Sequence, residues 1–161
     1  MKLAGTVSEI PIEEAEAVRA VINGSNRDAY KSIIPSEYFR EEVVSPDEMA
    51  EQFRKMTFYG YRHEEMLVGV AALEAEPDAV ARMRWVYVHP QFQRMGVGTE
   101  LVLHLENTAR IAGFVRMRLL TAEKASWAIS FYQKLGYCVT GRMARPWGAD
   151  TEMQKELRSA N

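Results

Sequence analysis

Two glycines one residue apart, Gly96 and Gly98, stand where an apolar run ending at Val88 gives way to a strong helical pattern. Glycine carries no side chain to block an approach, so successive backbone N–H groups can turn toward one point. A helix N-terminus adds N–H groups without internal acceptors and a partial positive charge. Such a turn favours a phosphate or diphosphate, and Arg94 adds a formal charge beside it. Two common phosphate motifs are excluded. A P-loop needs Lys followed by Ser or Thr after its last glycine, whereas Gly98 is followed by Thr99-Glu100. A dinucleotide-binding Gly-x-Gly-x-x-Gly needs glycine where the chain has Leu101. What remains is Gln93-x-x-Gly96-x-Gly98, a pattern that a plain helix-start turn also satisfies.

Other reactive side chains are scattered. Cys138, the single cysteine, sits in the apolar stretch Tyr137-Cys138-Val139 and reads as a buried structural thiol, not a nucleophile. His63, His89 and His104 lack metal-ligand spacing, so no metal is expected. Glu41, Glu42, Glu74 and Glu76 are possible bases, but each reads better as a solvated surface carboxylate. Phe58-Tyr59-Gly60-Tyr61, Trp127 and Trp147 could line a pocket or cover the core. Arg116 and Arg118 alternate on one strand face and read as solvated or salt-bridged.

The elements that would position these residues follow from periodicity. Ile12 to about Asn23 reads as an amphipathic helix, with Ala15, Val18, Val21 and Ile22 at helical spacing. Ser45-Pro46 starts a second helix, Ser45 as cap and Pro46 in the first turn, with Met49, Phe53 and Met56 inward. Thr57 to His63 and Met66 to Leu73 read as a hairpin turning at His63-Glu64-Glu65. Glu74 to Asp78 is a turn-prone stretch leading to a strand from Ala81 to Val88. Thr99 to Ala112 is the clearest helix, stopped by Gly113. Val115 to Leu120 is a strand, Ser126 to Leu135 a short helix, and Tyr137 to Arg142 a strand. Met143 to Ala149 reads as irregular, and Thr151 to Leu157 as either a strand or a charged helix. The order predicts a mixed α/β layer structure.

The 161 residues fit one domain spanning 1–161, with no repeat or linker. A net charge of −2 gives no global field for nucleic acid or anionic membrane, so neither is an expected partner. No stretch reaches the length of a membrane span and the start lacks a signal-peptide shape, so the expected location is cytoplasmic.

The motif and its flanks resemble the GNAT superfamily of N-acetyltransferases. Gln93-x-x-Gly96-x-Gly98 is similar to the family's phosphate-binding signature, and Trp85-Val86-Tyr87-Val88-His89-Pro90 to the strand before it. Ala128-Ile129-Ser130-Phe131-Tyr132-Gln133-Lys134-Leu135-Gly136-Tyr137 resembles the second hallmark, a helix with a Phe-Tyr pair followed by Leu-Gly-Tyr. The resemblance is strong from about Ala81 to Arg142. It implies a central sheet that is mixed but mostly antiparallel, flanked by helices and opened into a V where coenzyme A enters. The diphosphate would lie on the backbone of Arg94, Met95, Gly96, Val97, Gly98 and Thr99, with Gln93 opening the motif. The pantetheine arm would pair with the backbone of Val86 and Val88. Tyr132 aligns with the tyrosine that protonates the departing thiolate, although spacing with Ala128 and Leu135 fits burial equally well.

One departure is Ala125, where many members place an asparagine that bonds the cofactor. Ser126 could substitute or could cap the helix. The implied activity is direct acetyl transfer from acetyl-coenzyme A to a primary amine, on a small molecule or a peptide. The alternative is a coenzyme A-binding sensor that lost catalysis. Homodimers are frequent in such families, and no residue pattern here marks an interface.

Overall fold

The computed structural model describes residues 3–40 and 42–158. Seven strands form one sheet in the order β1-β2-β3-β4-β5-β7-β6. They are β1 (Thr6–Glu9), β2 (Thr57–His63), β3 (Met66–Glu76), β4 (Val80–Val88), β5 (Arg116–Ala122), β6 (Cys138–Arg145) and β7 (Gly148–Glu156). The helices are α1 (Ala15–Tyr30), α2 (Pro46–Lys55), α3 (Val97–Ile111) and α4 (Ser126–Lys134). All neighbouring strands are antiparallel except β4 and β5, which run parallel.

Strand alternation divides the core between two faces. Tyr59, Ala71, Met83, Met117, Leu119 and Met153 pack with Leu101 and Leu105 of α3 on one face. Phe58, Val70 and Ala72 pack with Val18, Ile22 and Met49 of α1 and α2 on the other. The β2–β3 hairpin turns through Glu64 and Glu65, both at positive φ (49° and 68°), where the sequence places it. Ser45 caps α2 as expected: its side chain accepts from the Glu48 N–H, and the Glu48 carboxylate accepts from the Ser45 N–H. Such a cap contributes about 1 kcal/mol.

The first long helix outruns its sequence reading. It passes through Asn23-Gly24-Ser25-Asn26, residues that favour termini, because each polar side chain finds a partner off the helix. Asn23 Nδ2 donates to Val44 O and its Oδ1 accepts from Val44 N, both at 3.1 Å. Ser25 Oγ donates to Val88 O at 2.9 Å and Asn26 Nδ2 to Arg40 O at 3.4 Å. Two other readings are corrected, and one left open is decided. Strand β6 runs on to Arg145 and β7 begins at Gly148, so most of the segment read as irregular is a hairpin. Thr151 to Glu156 is strand, its register with β5 running from Arg116↔Glu156 to Ala122↔Asp150. Cys138 is exposed, not buried, because β6 is an edge strand with its residues open on both faces. The short edge strand β1 has no counterpart in the sequence reading.

One face of β5 and β7 is charged. Arg116 pairs with Glu156 at 2.7 Å, Arg118 with Glu152 at 2.8 Å and with Glu76 at 3.2 Å. The salt-bridged reading of Arg116 and Arg118 therefore holds.

Candidate functional site: the cleft between β4 and β5

Strands β4 and β5 pair over only three residues, Val80↔Arg116, Ala81↔Met117 and Arg82↔Arg118. Beyond Arg82 they separate, and Met83 to Val88 form one wall of a cleft while Leu119 to Ala122 form the other. The cleft has a volume of about 930 Å³. A bulge helps to open it. Ala72 faces Arg84 and Val70 faces Tyr87, so one residue of β3 spans two of β4, and Trp85 adopts φ 55°.

The turn after β4 is built from backbone constraints. His89 N–H donates to Val68 O at 2.7 Å, and a 3-10 turn follows over Pro90–Phe92. Arg94 and Gly96 both take left-handed conformations, φ 63° and 85°. A non-glycine residue persists there only where its surroundings fix it. Gln93 Nε2 donates to Val88 O at 3.1 Å on one side, and Met95 O accepts from Leu3 N–H at 2.9 Å on the other. Gly96 caps α3 and its carbonyl accepts from Glu100 N–H at 3.0 Å. The N–H groups of Val97, Gly98 and Thr99 are then first-turn donors with no acceptor inside the helix.

Packing fixes this helix start on the sheet. Val97 is 1% exposed, and a Cβ placed on Gly69 of β3 would meet Val97 Cγ1 at 2.6 Å. A Cβ on Gly98 would approach Phe131 Cζ of α4 at 3.3 Å, so the missing side chain keeps the α3–α4 gap open. Left-handed residues beside free first-turn donors, with open strand backbone alongside, suit a diphosphate joined to an extended arm. The residues present therefore fit coenzyme A.

The structure brings most of the expected site residues together. Val86, Val88, Gln93, Arg94, Gly96, Gly98, Thr99 and Tyr132 all line the cleft. Met95 and Val97 are not among its lining; the Val97 side chain is core, so what these two present at the turn is backbone. Ser126 is exposed, lies outside the cleft lining and makes no capping bond; buried Ala125 is the cap residue of α4. The Val88 carbonyl accepts from both Ser25 Oγ and Gln93 Nε2. That carbonyl is therefore already engaged within the chain.

Tyr132 is packed in the core and also lines the cleft. Its ring packs edge-on against Phe131 at 5.0 Å and Tyr137 at 5.7 Å while lining the cleft. Burial pushes its phenol well above the ordinary range, and the nearby Tyr30 and Tyr87 add to the rise. It holds its proton throughout the working pH range.

The candidate bases fall elsewhere. Glu74 pairs with Arg84 at 3.5 Å, Glu76 with Arg118, and Glu42 with Arg19; none lines the cleft. Glu41 lies outside the described residues. Phe58, Tyr59 and Tyr61 are core. Trp127 and Trp147 do line the cleft, as do Ser25, Tyr30, Tyr87, Thr121 and Asp150, which sequence reasoning did not single out. The only signal for Ser25 was a polar run inside a helix; for Tyr30 and Asp150 there was none. Among the described residues no group of three His, Cys, Asp or Glu could hold a metal, and no helix is long and apolar enough to cross a membrane.

A splayed β4–β5 pair with a glycine turn at its mouth defines an acyl-coenzyme A binding fold, and comparison with known proteins agrees. The model of the acetyltransferase (GNAT) family matches residues 26–137, well over half of the chain. The chain belongs to that family. Among solved structures it is similar to the PaiA N-acetyltransferase from Thermoplasma acidophilum in complex with coenzyme A. That match has 22% identity and a TM-score of 0.77, over 96% of this chain and 99% of that one. Ard1 from Thermoplasma volcanium matches at 22% identity and TM-score 0.78, covering 98% and 100%. YncA from Salmonella typhimurium, a putative acetyltransferase with its cofactor acetyl-CoA, matches at 20% and 0.76, covering 98% and 96%. At these identities the likeness shows the fold alone.

Proposed function

We propose that the chain acts as one domain that transfers an acetyl group from acetyl-CoA to a primary amine by direct attack in a ternary complex. The observation that carries this reading is that one cleft is lined by both the first turn of α3 and Tyr132. The complexes of two fold neighbours with coenzyme A and with acetyl-CoA support it.

Bound acetyl-CoA would supply the activated carbonyl carbon, which gains the amine nitrogen as its bond to sulfur breaks. The net change is amine and thioester to amide and thiol, with the ammonium proton released to water. The chain's own residues do the rest. First-turn N–H groups of α3 and the Arg94 guanidinium hold the diphosphate. Backbone N–H groups on the unpaired length of β4 donate toward the carbonyl oxygen as charge builds there. Tyr132 Oη stands protonated to donate toward the departing sulfur. An ordinary thiol titrates near 8.5, below a phenol at about 10, so full transfer from a buried phenol is uphill. Tyr132 therefore acts first as a hydrogen-bond donor and gives up its proton only as the new amide nitrogen releases one.

Thiol release from acetyl-CoA with a panel of primary amines tests the reading. Turnover with at least one amine, reduced on the order of 100-fold in Tyr132→Phe, is expected for a lost general acid. Coenzyme A binding by folded protein with no thiol release on any amine would make the chain a sensor of the cofactor instead.

A further inference from the structure

The cleft has two chemically different ends. Helix α4 runs along it, with Phe131 beside Gly98 and Trp127 one turn earlier. At the Phe131 end lie Arg94 and Lys134, suited to phosphates. At the Trp127 end the walls are aromatic. The Tyr30 ring lies 5.8 Å from Trp127 and 6.4 Å from Tyr87, and the Thr121 side chain is close enough to act on its hydroxyl. One side chain from α1 thus touches β4, β5 and α4 across the opening. Trp147, from the β6–β7 turn, lines the same cleft.

Asp150 sits at this end, opposite Ala122 in the β5–β7 register and close enough for its charge to act on the Tyr30 phenol. Its side chain is 15% exposed and pairs with Arg145. Arg145 Nε and Nη2 both reach Oδ2, each at 2.8 Å, so the pair uses one carboxylate oxygen and leaves Oδ1 for another donor. The other charged lining residues do not compete. Arg84 is held by Glu74 at 3.5 Å and lies over Trp85 at 5.8 Å, and Asp28 is an exposed carboxylate on α1. Among the described residues that line the cleft, none is an uncommitted cation at this end that would receive an acceptor's carboxylate.

Resting on the acetyltransfer reading, we propose that this end of the cleft takes the acceptor as a cation, with Asp150 Oδ1 holding its ammonium and Tyr30, Trp127 and Trp147 forming its walls. The acceptors are monocationic amines with an apolar or aromatic body, and zwitterionic amino acids are excluded. A cation beside a carboxylate and over aromatic faces is attracted by both, while an added carboxylate is repelled by Asp150. Asp150 binds and positions; it is not asked to take the proton.

The test compares 2-phenylethylamine with phenylalanine at saturating acetyl-CoA, using wild type, Asp150→Asn and Arg145→Gln, each verified as folded. The wild type should prefer phenylethylamine. Asp150→Asn should raise its KM by about tenfold or more, the size of a lost hydrogen bond to a charged group, with coenzyme A affinity unaltered. Arg145→Gln frees Oδ2 and should lower that KM. Equal damage from both variants would make Asp150 only a partner for Arg145 and overturn the proposal, as would phenylalanine turning over as well as phenylethylamine. If no amine turns over, the acetyltransfer reading fails by itself and calorimetry with 2-phenylethylamine decides. Binding weakened by Asp150→Asn sustains the site, and no binding to wild type overturns it.

Discussion

Replacing Gly96 by alanine separates what the glycine turn does for the fold from what it does for a ligand. Gly96 holds φ 85° at the cap of α3, and a Cβ in the left-handed region costs about 1 to 2 kcal/mol. For a chain of this length that is a fall of roughly 2 to 8 °C in Tm. Gly113, past the far end of the same helix, provides a matched control. Its φ is 94°, an added Cβ would meet nothing within 4 Å, and it closes α3 with Gly113 N–H to Arg110 O and Phe114 N–H to Ala109 O. Alanine there carries a similar backbone cost far from the cleft. Thermal unfolding should therefore show comparable losses for the two variants. Isothermal calorimetry with coenzyme A should not. If first-turn N–H groups hold the diphosphate, displacing one charge-assisted hydrogen bond costs about 1.5 to 3 kcal/mol, or about 10- to 100-fold in Kd. Gly113→Ala should bind as wild type does. Two variants equally destabilised, both binding coenzyme A with native affinity, would refute the assignment of the turn to the diphosphate.

Tyr132→Phe should lower kcat on the order of 100-fold while leaving the Kd for coenzyme A in place; a Kd that moved with kcat would mark the ring as packing alone. Lys155→Met should destabilise the fold by about 3 to 5 kcal/mol in urea unfolding. It leaves Glu106, 3% exposed, with only the Tyr137 hydroxyl at 2.8 Å in place of that bond plus the Lys155 ion pair at 3.0 Å. An unchanged midpoint would contradict that. Glu152 accepts from Thr140 Oγ1 and Arg118 Nε, and those bonds hold its carboxyl below the ordinary value of 4.5. A depressed folded value stabilises above the unfolded one, and the benefit fades as pH falls through the folded value. The Tm advantage of wild type over Glu152→Gln should therefore shrink below pH 4.5, and a gap that stayed constant with pH would contradict the assignment.

Much of the frame was legible because its signals are local. The cap at Ser45, the turn at Glu64-Glu65 and the helix from the glycine turn to Gly113 each rest on neighbours in sequence, and each is found in place. Boundaries slipped where distant partners intervened. Helix α1 continues through Asn23, Ser25 and Asn26 because Val44, Val88 and Arg40 accept their hydrogen bonds. Edge strands carry the weakest signals: β1 has no counterpart in the sequence reading, and β6, exposed on both faces, is a strand as expected but runs past Arg142 to Arg145 and holds Cys138 at the surface.

The glycine turn, the strand before it and the Phe131-Tyr132 helix are written in short stretches of chain, because local backbone conformation and periodicity set them. The parting of β4 and β5 after Arg82, and the lining of one gap by Tyr30, Thr121, Trp127 and Asp150, arise from the folded arrangement. Those four residues lie on four different elements. No spacing along the chain encodes their meeting, which exists only once the sheet has twisted open and α1 has packed over it.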